Sequence, residues 1–322
     1  MSSDCPLVSV LMPVYNGERH LREAVDSILA QTFADFEFII INDGSTDDTE
    51  TIIRSYDDPR IRLTTQTNHG VVYSRNRGIA LARGSYIAPM DSDDISAPAR
   101  LATEVELLSS HPTVAVVGTS IIRINTAGRE LRTDYYLAHD PELRQDLTVR
   151  CPFAHGSTMM RADLVRKVGG YRQEFWVAED YDLWRRLAAV GELANILEPL
   201  YLYRENAQGL TASHERSMSD FAMRISGELL DDPNYQKDIP LRRCLASYER
   251  LPRGPRAAVI ARILENYFRI LVACARRGEF LVALYRFVKL MSSGTAGLEF
   301  ATKRLANRLG IDVSPSSRRL QA

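Results

Sequence analysis

The chain has 322 residues, 45% of them hydrophobic and 25% charged, which allows one large core plus a smaller appendage. Those fractions are ordinary for a soluble globular protein and exclude a disordered chain. The net charge of −1 hides an asymmetry: from Leu241 onward, 16 Lys and Arg stand against 5 Asp and Glu, and the totals of 40 and 41 leave 24 against 36 before it. An acidic body carries a basic tail.

The first strand is expected at Val8–Tyr15 (VSVLMPVY), and a helix with apolar spacing through Leu21, Val25, Ile28 and Leu29 at Glu18–Phe33. Phe36–Ile41 reads as a second buried strand, and the cluster Ser45-Thr46-Asp47-Asp48 as the cap of a helix over 47–55. A third strand follows at Arg60–Gln66 and a helix at Val71–Ala82. The run Ser85–Pro89 then delivers Met90-Asp91-Ser92-Asp93-Asp94-Ile95, three carboxylates in four residues at the end of a short apolar strand. Such carboxylates repel one another unless a cation sits among them, and a hard divalent cation with oxygen ligands suits them. A solvated acidic turn is the alternative, with Ser96 and Pro98 opening a helix over Ala99–Leu108.

A strand at Val114–Thr119, another at Ser157–Arg161, helices at Ala162–Val168 and Tyr181–Ala189, and a returning strand at Leu197–Arg204 complete the body. Continuous apolar strands alternating with helices predict an α/β fold, mostly a parallel sheet covered on both faces. Ligands in such sheets bind at the carboxyl edge. One glycine stands where a dinucleotide fingerprint needs three, and no Walker A motif occurs, so phosphate is not expected on a glycine loop. Beyond about Thr211 only helices are expected. The longest, over Arg256–Arg277, has Arg262, Glu265, Arg269 and Arg276 on one stripe.

The four cysteines, Cys5, Cys151, Cys244 and Cys274, lie far apart and suggest neither a disulfide framework nor a zinc site. The cysteines point to a reducing compartment. With no basic n-region at the start and no apolar run of about 18 residues, the expected place is cytoplasmic, with peripheral attachment to the inner face of a membrane left open.

Four blocks in this order resemble the family-two glycosyltransferases of GT-A fold: Val8–Phe33, Phe38–Thr49, Asn68–Asp94 and Gly169–Ala188 (GGYRQEFWVAEDYDLWRRLA). The resemblance covers roughly Val8–Arg204 and implies a GT-A domain over residues 1–220, with residues 221–322 left as a basic amphipathic helical extension. It implies transfer of a sugar, with inversion, from a nucleoside diphosphate sugar, a uridine diphosphate sugar above all. It places Pro13, Val14, Tyr15, Asn16, Asp43, Asn68, Arg75, Asp91, Ser92 and Asp93 around the donor. Asp93, with Asp91 more weakly, is implied as ligand of Mn²⁺ or Mg²⁺, and Asp180 as the base that takes the acceptor proton. Glu179 and His155 fall on the acceptor side.

Each position has a structural alternative. Tyr15 could be an edge-of-core tyrosine, Asp43 a helix cap, Arg75 a solvated charge, and Glu179 with Asp180 a dipole cap. Asp94 is expected to cap the following helix. Many relatives carry a histidine after the returning strand; here Glu205 and Asn206 follow, with His214 the nearest.

The competing functions are a non-catalytic sugar-nucleotide-binding module and a sugar nucleotidyltransferase, whose glycine-rich basic loop is missing after the first strand. Nucleic acid is not expected, because the tail interleaves its charges with apolar faces. That tail suits either an anionic membrane surface or packing on the body. A glycan or lipid-linked glycan acceptor fits the resemblance, and self-association stays open.

Overall fold

The computed structural model describes residues 5–148, 150–206, 248 and 251–276. The chain divides into two compact units, residues 1–229 and 230–322. The domain boundary expected after residue 220 lies outside the described residues.

The first unit is built on a nine-stranded mixed sheet. Strands β1 (Val8–Val14), β2 (Phe36–Asn42), β3 (Ile61–Thr65) and β4 (Tyr86–Pro89) run parallel in the order β3-β2-β1-β4. Helices α1 (Leu21–Leu29), α2 (Thr49–Arg54) and α3 (Val71–Leu81) make the crossovers. Every residue of β2 is buried, Glu37 and Asn42 included, as in a central strand covered on both faces. Helix α1 buries Leu21, Ala24, Val25 and Ile28, the face its spacing marks out. Because β2 and β4 flank β1 on opposite sides, the carboxyl edge of β1 and β4 is a topological switch point, where open α/β sheets place ligands.

The second half departs from a simple parallel layout. After the two-residue β5 (Ile95–Ser96) come α4 (Arg100–Ser110) and β6 (Val114–Ile124), longer than the sequence suggests. Strand β7 (Glu130–Asp134) pairs antiparallel with β6, and β8 (Thr158–Arg161) lies antiparallel between β4 and β6. Strand β9 (Glu192–Arg204) runs parallel to β6, with three register irregularities. Helices α5 (Asp140–Leu147), α6 (Ala162–Lys167) and α7 (Glu179–Ala188) are the remaining described helices of this unit.

Two buried ion clusters brace the sheet. Glu37 on β2 accepts from Ser9 Oγ (2.7 Å), the Arg83 amide (2.7 Å) and Arg83 Nε (3.0 Å), and it pairs with Arg62. On α4, fully buried Arg100 donates to the carbonyls of Pro89 and Thr158, both at 3.0 Å. One guanidinium thus joins the end of β4 to the start of β8. Its neighbour Glu104 is also fully buried, and burial pushes that carboxyl up to about 7 despite Arg100 beside it.

In the second unit, α8 (Arg253–Arg276) buries Val259 and Ile263, and Arg269 pairs with Glu265 at 2.9 Å. That pair supports the charged stripe read from the sequence. Among the described residues no helix is long and apolar enough to cross a membrane.

Candidate active site

At the end of β1, Asn16 has a left-handed φ of 50°, a conformation asparagine tolerates. Its side chain accepts from the Thr46 amide (2.9 Å) and its own amide donates to Ser45 Oγ (2.9 Å). Asn16 therefore staples the loop after β1 to the loop after β2, and Tyr15 is left 53% exposed beside it. Within β1, Pro13 is half-buried and Val14 is buried, with the Val14 carbonyl accepting from Asp43 N at 2.9 Å.

Asp43, just past β2, is buried and caps no helix. Its Oδ1 accepts from Gln66 Nε2 (2.6 Å) and the His69 amide (3.0 Å), and its Oδ2 from the Gly70 amide (2.8 Å). A carboxylate offers about four acceptor positions, so one on Oδ2 remains for a ligand N–H. The loop it holds carries exposed Asn68, whose backbone lies so close to Gly44 (φ 77°) that a side chain there would collide with it.

The carboxylate loop after β4 faces this region, and Ser92 Oγ lies 3.5 Å from where a Gly17 side chain would begin. Asp91 Oδ1 is 3.3 Å from Arg75 Nη2 and 3.7 Å from His155 Nδ1. Burial opposes the charge on Asp91, but His155 and Arg75 hold its carboxyl well below the usual carboxylate range. Asp93 shifts the other way: burial and the charge of Asp91 push it up, against a hydrogen bond from Asn206 and the charge of Arg204.

Asp94 does not cap α4, contrary to expectation. Its Oδ1 accepts from the Arg204 amide at 2.7 Å, and α4 begins after Ala99 without a side-chain cap. Buried Arg204 also donates to the Asp93 carbonyl (2.6 Å) and to Glu23 (2.6 Å), tying the end of β9 to the carboxylate loop.

The donor set fits a hard cation. Asp91 is compensated by Arg75 and His155, whereas at Asp93 the charge of Arg204 does not outweigh burial and the charge of Asp91. Among the described residues no three His, Cys, Asp or Glu side chains cluster tightly enough to enclose an ion. Two carboxylates of this kind would suit a Mg²⁺- or Mn²⁺-type cation, which keeps waters and shares positions with phosphate. His214 lies outside the described residues.

The opposite wall is the start of α7. Glu179 is buried, pairs with Arg75 Nη1, and is pushed up by burial although Arg75 counters this. Half-buried Asp180 accepts from the Tyr181 amide (2.7 Å) and lies 3.8 Å from Cys151 Sγ. His155, in a short 3-10 turn, is 2.8 Å from the Tyr171 hydroxyl through Nε2, while its buried Nδ1 has no hydrogen-bond partner. Further along α7, fully buried Asp182 is clasped by Arg172 and Arg186. Their hydrogen bonds and charge hold it below the usual range against the opposing effect of burial.

The structure therefore brings Asp91, Arg75, His155 and Glu179 into direct contact, and sets Asp43 and Tyr15 at the neighbouring strand ends. Sequence reading missed Gln66, Tyr171 and Arg204. Tyr171 follows Gly169 and Gly170, both left-handed (φ 85° and 66°), a tight turn whose glycine pair is the signal that points to it.

The family described as "Glycosyl transferase family 2" matches residues 9–169. The chain belongs to glycosyl transferase family 2. EpsE of Bacillus subtilis, a protein named as a glycosyltransferase, is 38% identical over 209 residues, 63% of this chain and 74% of that one. Chondroitin synthase of Pasteurella multocida is 31% identical over 198 residues, 61% of this chain but only 20% of the synthase. The structure of TarS 1–349 from S. aureus in complex with UDP-GlcNAc superposes with a TM-score of 0.58 at 17% identity, covering 95% of this chain and 93% of that one. A mannosyltransferase from Pyrobaculum calidifontis, solved with GDP-Man and Mn²⁺, gives 0.50 at 18% identity, covering 84% and 88%. At such identities the likeness shows the fold, which is GT-A.

Proposed function

We propose that this family-two glycosyltransferase moves a sugar from a uridine diphosphate sugar to a glycan hydroxyl, with inversion and with a divalent cation at Asp93. The observation that carries the reading is the convergence of three chemistries on one sheet edge: an open acceptor on Asp43, the Asp91–Asp93 pair, and Asp180 at the opposite wall. Tyr15 offers an exposed ring for a base, and Asp43 Oδ2 accepts the base N–H. A cation held there by Asp93 with Asp91 would supply positive charge to offset the negative charge that develops on the leaving diphosphate.

Asp180 accepts the proton of the attacking hydroxyl, a transfer that contributes on the order of 10²–10⁴-fold. Displacement by that hydroxyl from the face opposite the leaving diphosphate inverts the anomeric centre. The similarity to chondroitin synthase supports an acceptor of polysaccharide type, and the excess of Lys and Arg from Leu241 onward supports contact with an anionic leaflet.

The test is a thermal shift against UDP-, GDP- and TDP-sugars, each with and without Mn²⁺. The reading expects a UDP-sugar shift that Mn²⁺ enlarges. The P. calidifontis complex makes GDP-mannose the informative competitor, since guanine also presents a ring N–H to Asp43. Cosedimentation with anionic vesicles at low salt tests the tail: a chain that stays in the supernatant removes the membrane contact.

A further inference from the structure

One guanidinium touches both walls of the site. Arg75, on α3, sends Nη1 to Glu179 in the first turn of α7 and Nη2 to Asp91 Oδ1 at 3.3 Å in the carboxylate loop. Its side chain is only 10% exposed, and the Tyr171 ring lies 5.5 Å from its Cζ. Burial works against its charge, but Glu179 and then Asp91 more than offset this and keep it protonated. Both ends of its fork are committed to carboxylates of the chain.

The surrounding links show what that commitment does. Asn76, the next residue on α3, holds both backbone groups of Tyr171, at 2.8 and 2.9 Å. Gly170 has no room for a side chain, since a Cβ there would lie 2.5 Å from Asn76 Oδ1. The Asp182 cluster ties α7 to Arg172, and Arg186 reaches the carbonyls of Val168 (2.6 Å) and Gly170 (2.7 Å). Those contacts fix α7 to the segment that leads into it and fix that segment to α3. Among the described residues, Arg75 is the side chain that pairs with both the first turn of α7 and the carboxylate loop.

We propose that Arg75 is a positioning residue, which sets Asp180 against the carboxylate loop, rather than a residue that grips the nucleotide. The inference rests on the glycosyltransferase reading above, with Asp180 as the base. Its chemistry is geometric: displacing a reacting group by about 1 Å can cost about 100-fold in rate. Lysine keeps the charge but presents a point ammonium in place of the planar fork, so it can satisfy one carboxylate and leave the other unheld.

The experiment uses the full chain as parent, Arg75→Lys, Asp180→Asn and the double variant. UDP with Mn²⁺ probes binding by calorimetry. UDP-N-acetylglucosamine, UDP-glucose and GDP-mannose probe turnover by nucleotide release. Amide exchange probes the peptide Ala178–Trp184 against Val8–Val14. For Arg75→Lys the expected results are UDP affinity within about three-fold of parent, kcat lower by about 10–100-fold, and faster exchange confined to the α7 peptide. In the Asp180→Asn background Arg75→Lys costs little more, because two groups that act as a unit are not additive.

A ten-fold loss of UDP affinity with kcat retained overturns the proposal in favour of a nucleotide grip. Full additivity in the double variant overturns it as well, and so does unchanged α7 exchange. Parental turnover in Asp180→Asn strikes the base assignment instead, and the exchange data still judge Arg75. Should Arg75→Lys fail to fold, Arg75→Gln with Glu179→Gln removes both buried charges together and carries the same expectations.

Discussion

The two halves of the sheet reach the site by different means. The parallel half, β1 to β4, presents Tyr15, Asp43 and Asp91 at the ends of the neighbouring strands β1, β2 and β4. The mixed half brings His155, Glu179 and Asp180 to the same edge through β8 and β9, which pair with β6 across long stretches of chain. The first half sets its residues at the edge by strand order, and hydrogen bonds then orient them, as the three donors on Asp43 do. The second half positions by ion pairs: Arg75 to Glu179, Arg172 and Arg186 to Asp182, and Arg204 to the loop after β4. Damage to the first half should therefore appear in donor affinity, and damage to the second in turnover or stability.

The largest separation is expected from Asp180→Asn. Asparagine keeps the size and can still accept from the Tyr181 amide, but it cannot take a proton. Turnover should fall by about 10²–10⁴ while UDP affinity stays within a few-fold. Steady-state kcat beside a UDP titration checks this, and near-parental turnover would reduce Asp180 to a helix-start residue. The next effect is on stability. Asp182→Ala removes the fully buried carboxylate that Arg172 and Arg186 share. Arg172 is partly exposed and keeps Glu174, while Arg186 keeps two carbonyls. The expected cost is therefore about 2–3 kcal/mol, below that of a fully buried pair. Denaturant unfolding measures it, and a loss under about 1 kcal/mol would mean that α7 is held by its apolar face alone.

The same contrast decides what the sequence discloses. In the parallel half, the buried runs of β1 and β2 and the i, i+3, i+4, i+7 face of α1 are local patterns, so elements and site residues are legible together. The motif Asp91-Ser92-Asp93 carries its own chemistry on its face. In the mixed half, β6 and β9 extend well beyond the apolar cores of Val114–Thr119 and Leu197–Arg204, because each completes the other's hydrogen bonds. Strand β7 is nearly all polar, and it forms because the turn at Asn125–Arg129, with left-handed Gly128, folds it back onto β6. Long-range pairs such as Asp94 with Arg204 have no signature in a window of neighbouring residues. The acidic start of α7 is visible in the sequence, but its use of Arg75, 104 residues earlier, is not.

Acidity should probe the braces separately. Asp182 has a folded-state pKa held below its ordinary value, so its stabilisation is present above the unfolded value, near 4, and is lost as pH falls through the folded one. Glu104 has the opposite sign. Its folded-state value of about 7 exceeds the ordinary 4.5, so its contribution is fully present below about 4.5 and is lost as pH rises through about 7. Unfolding free energies at pH 5 and pH 8 should differ by about 2–3 kcal/mol from this group, and Glu104→Gln should flatten that slope. An unchanged slope would show that Arg100 keeps Glu104 ionised across the range.

The smallest effect tests the donor half through Asp43→Asn, as the mirror image of Asp180→Asn. The two oxygens of Asp43 face three donors of the chain, Gln66 Nε2 and the amides of His69 and Gly70. Asparagine has one oxygen and one NH₂ group, so whichever way it turns, the NH₂ meets donors. Gln66 can rotate its own amide to escape, but the His69 and Gly70 amides are backbone and cannot. If the substituted side chain keeps its oxygen on the His69 side, its NH₂ faces Gly70 and the ligand position on the same side. A base N–H then meets a donor where an acceptor stood. Losing one hydrogen bond to a charged acceptor costs about 1.5–3 kcal/mol, and relaxation of the 66–70 loop should return part of it. UDP affinity should therefore fall by about ten-fold, with kcat at saturating donor unchanged. A titration in which Asp43→Asn binds UDP as tightly as the parent would confine Asp43 to bracing the loop, and the base would have to be read by other groups at the end of β1.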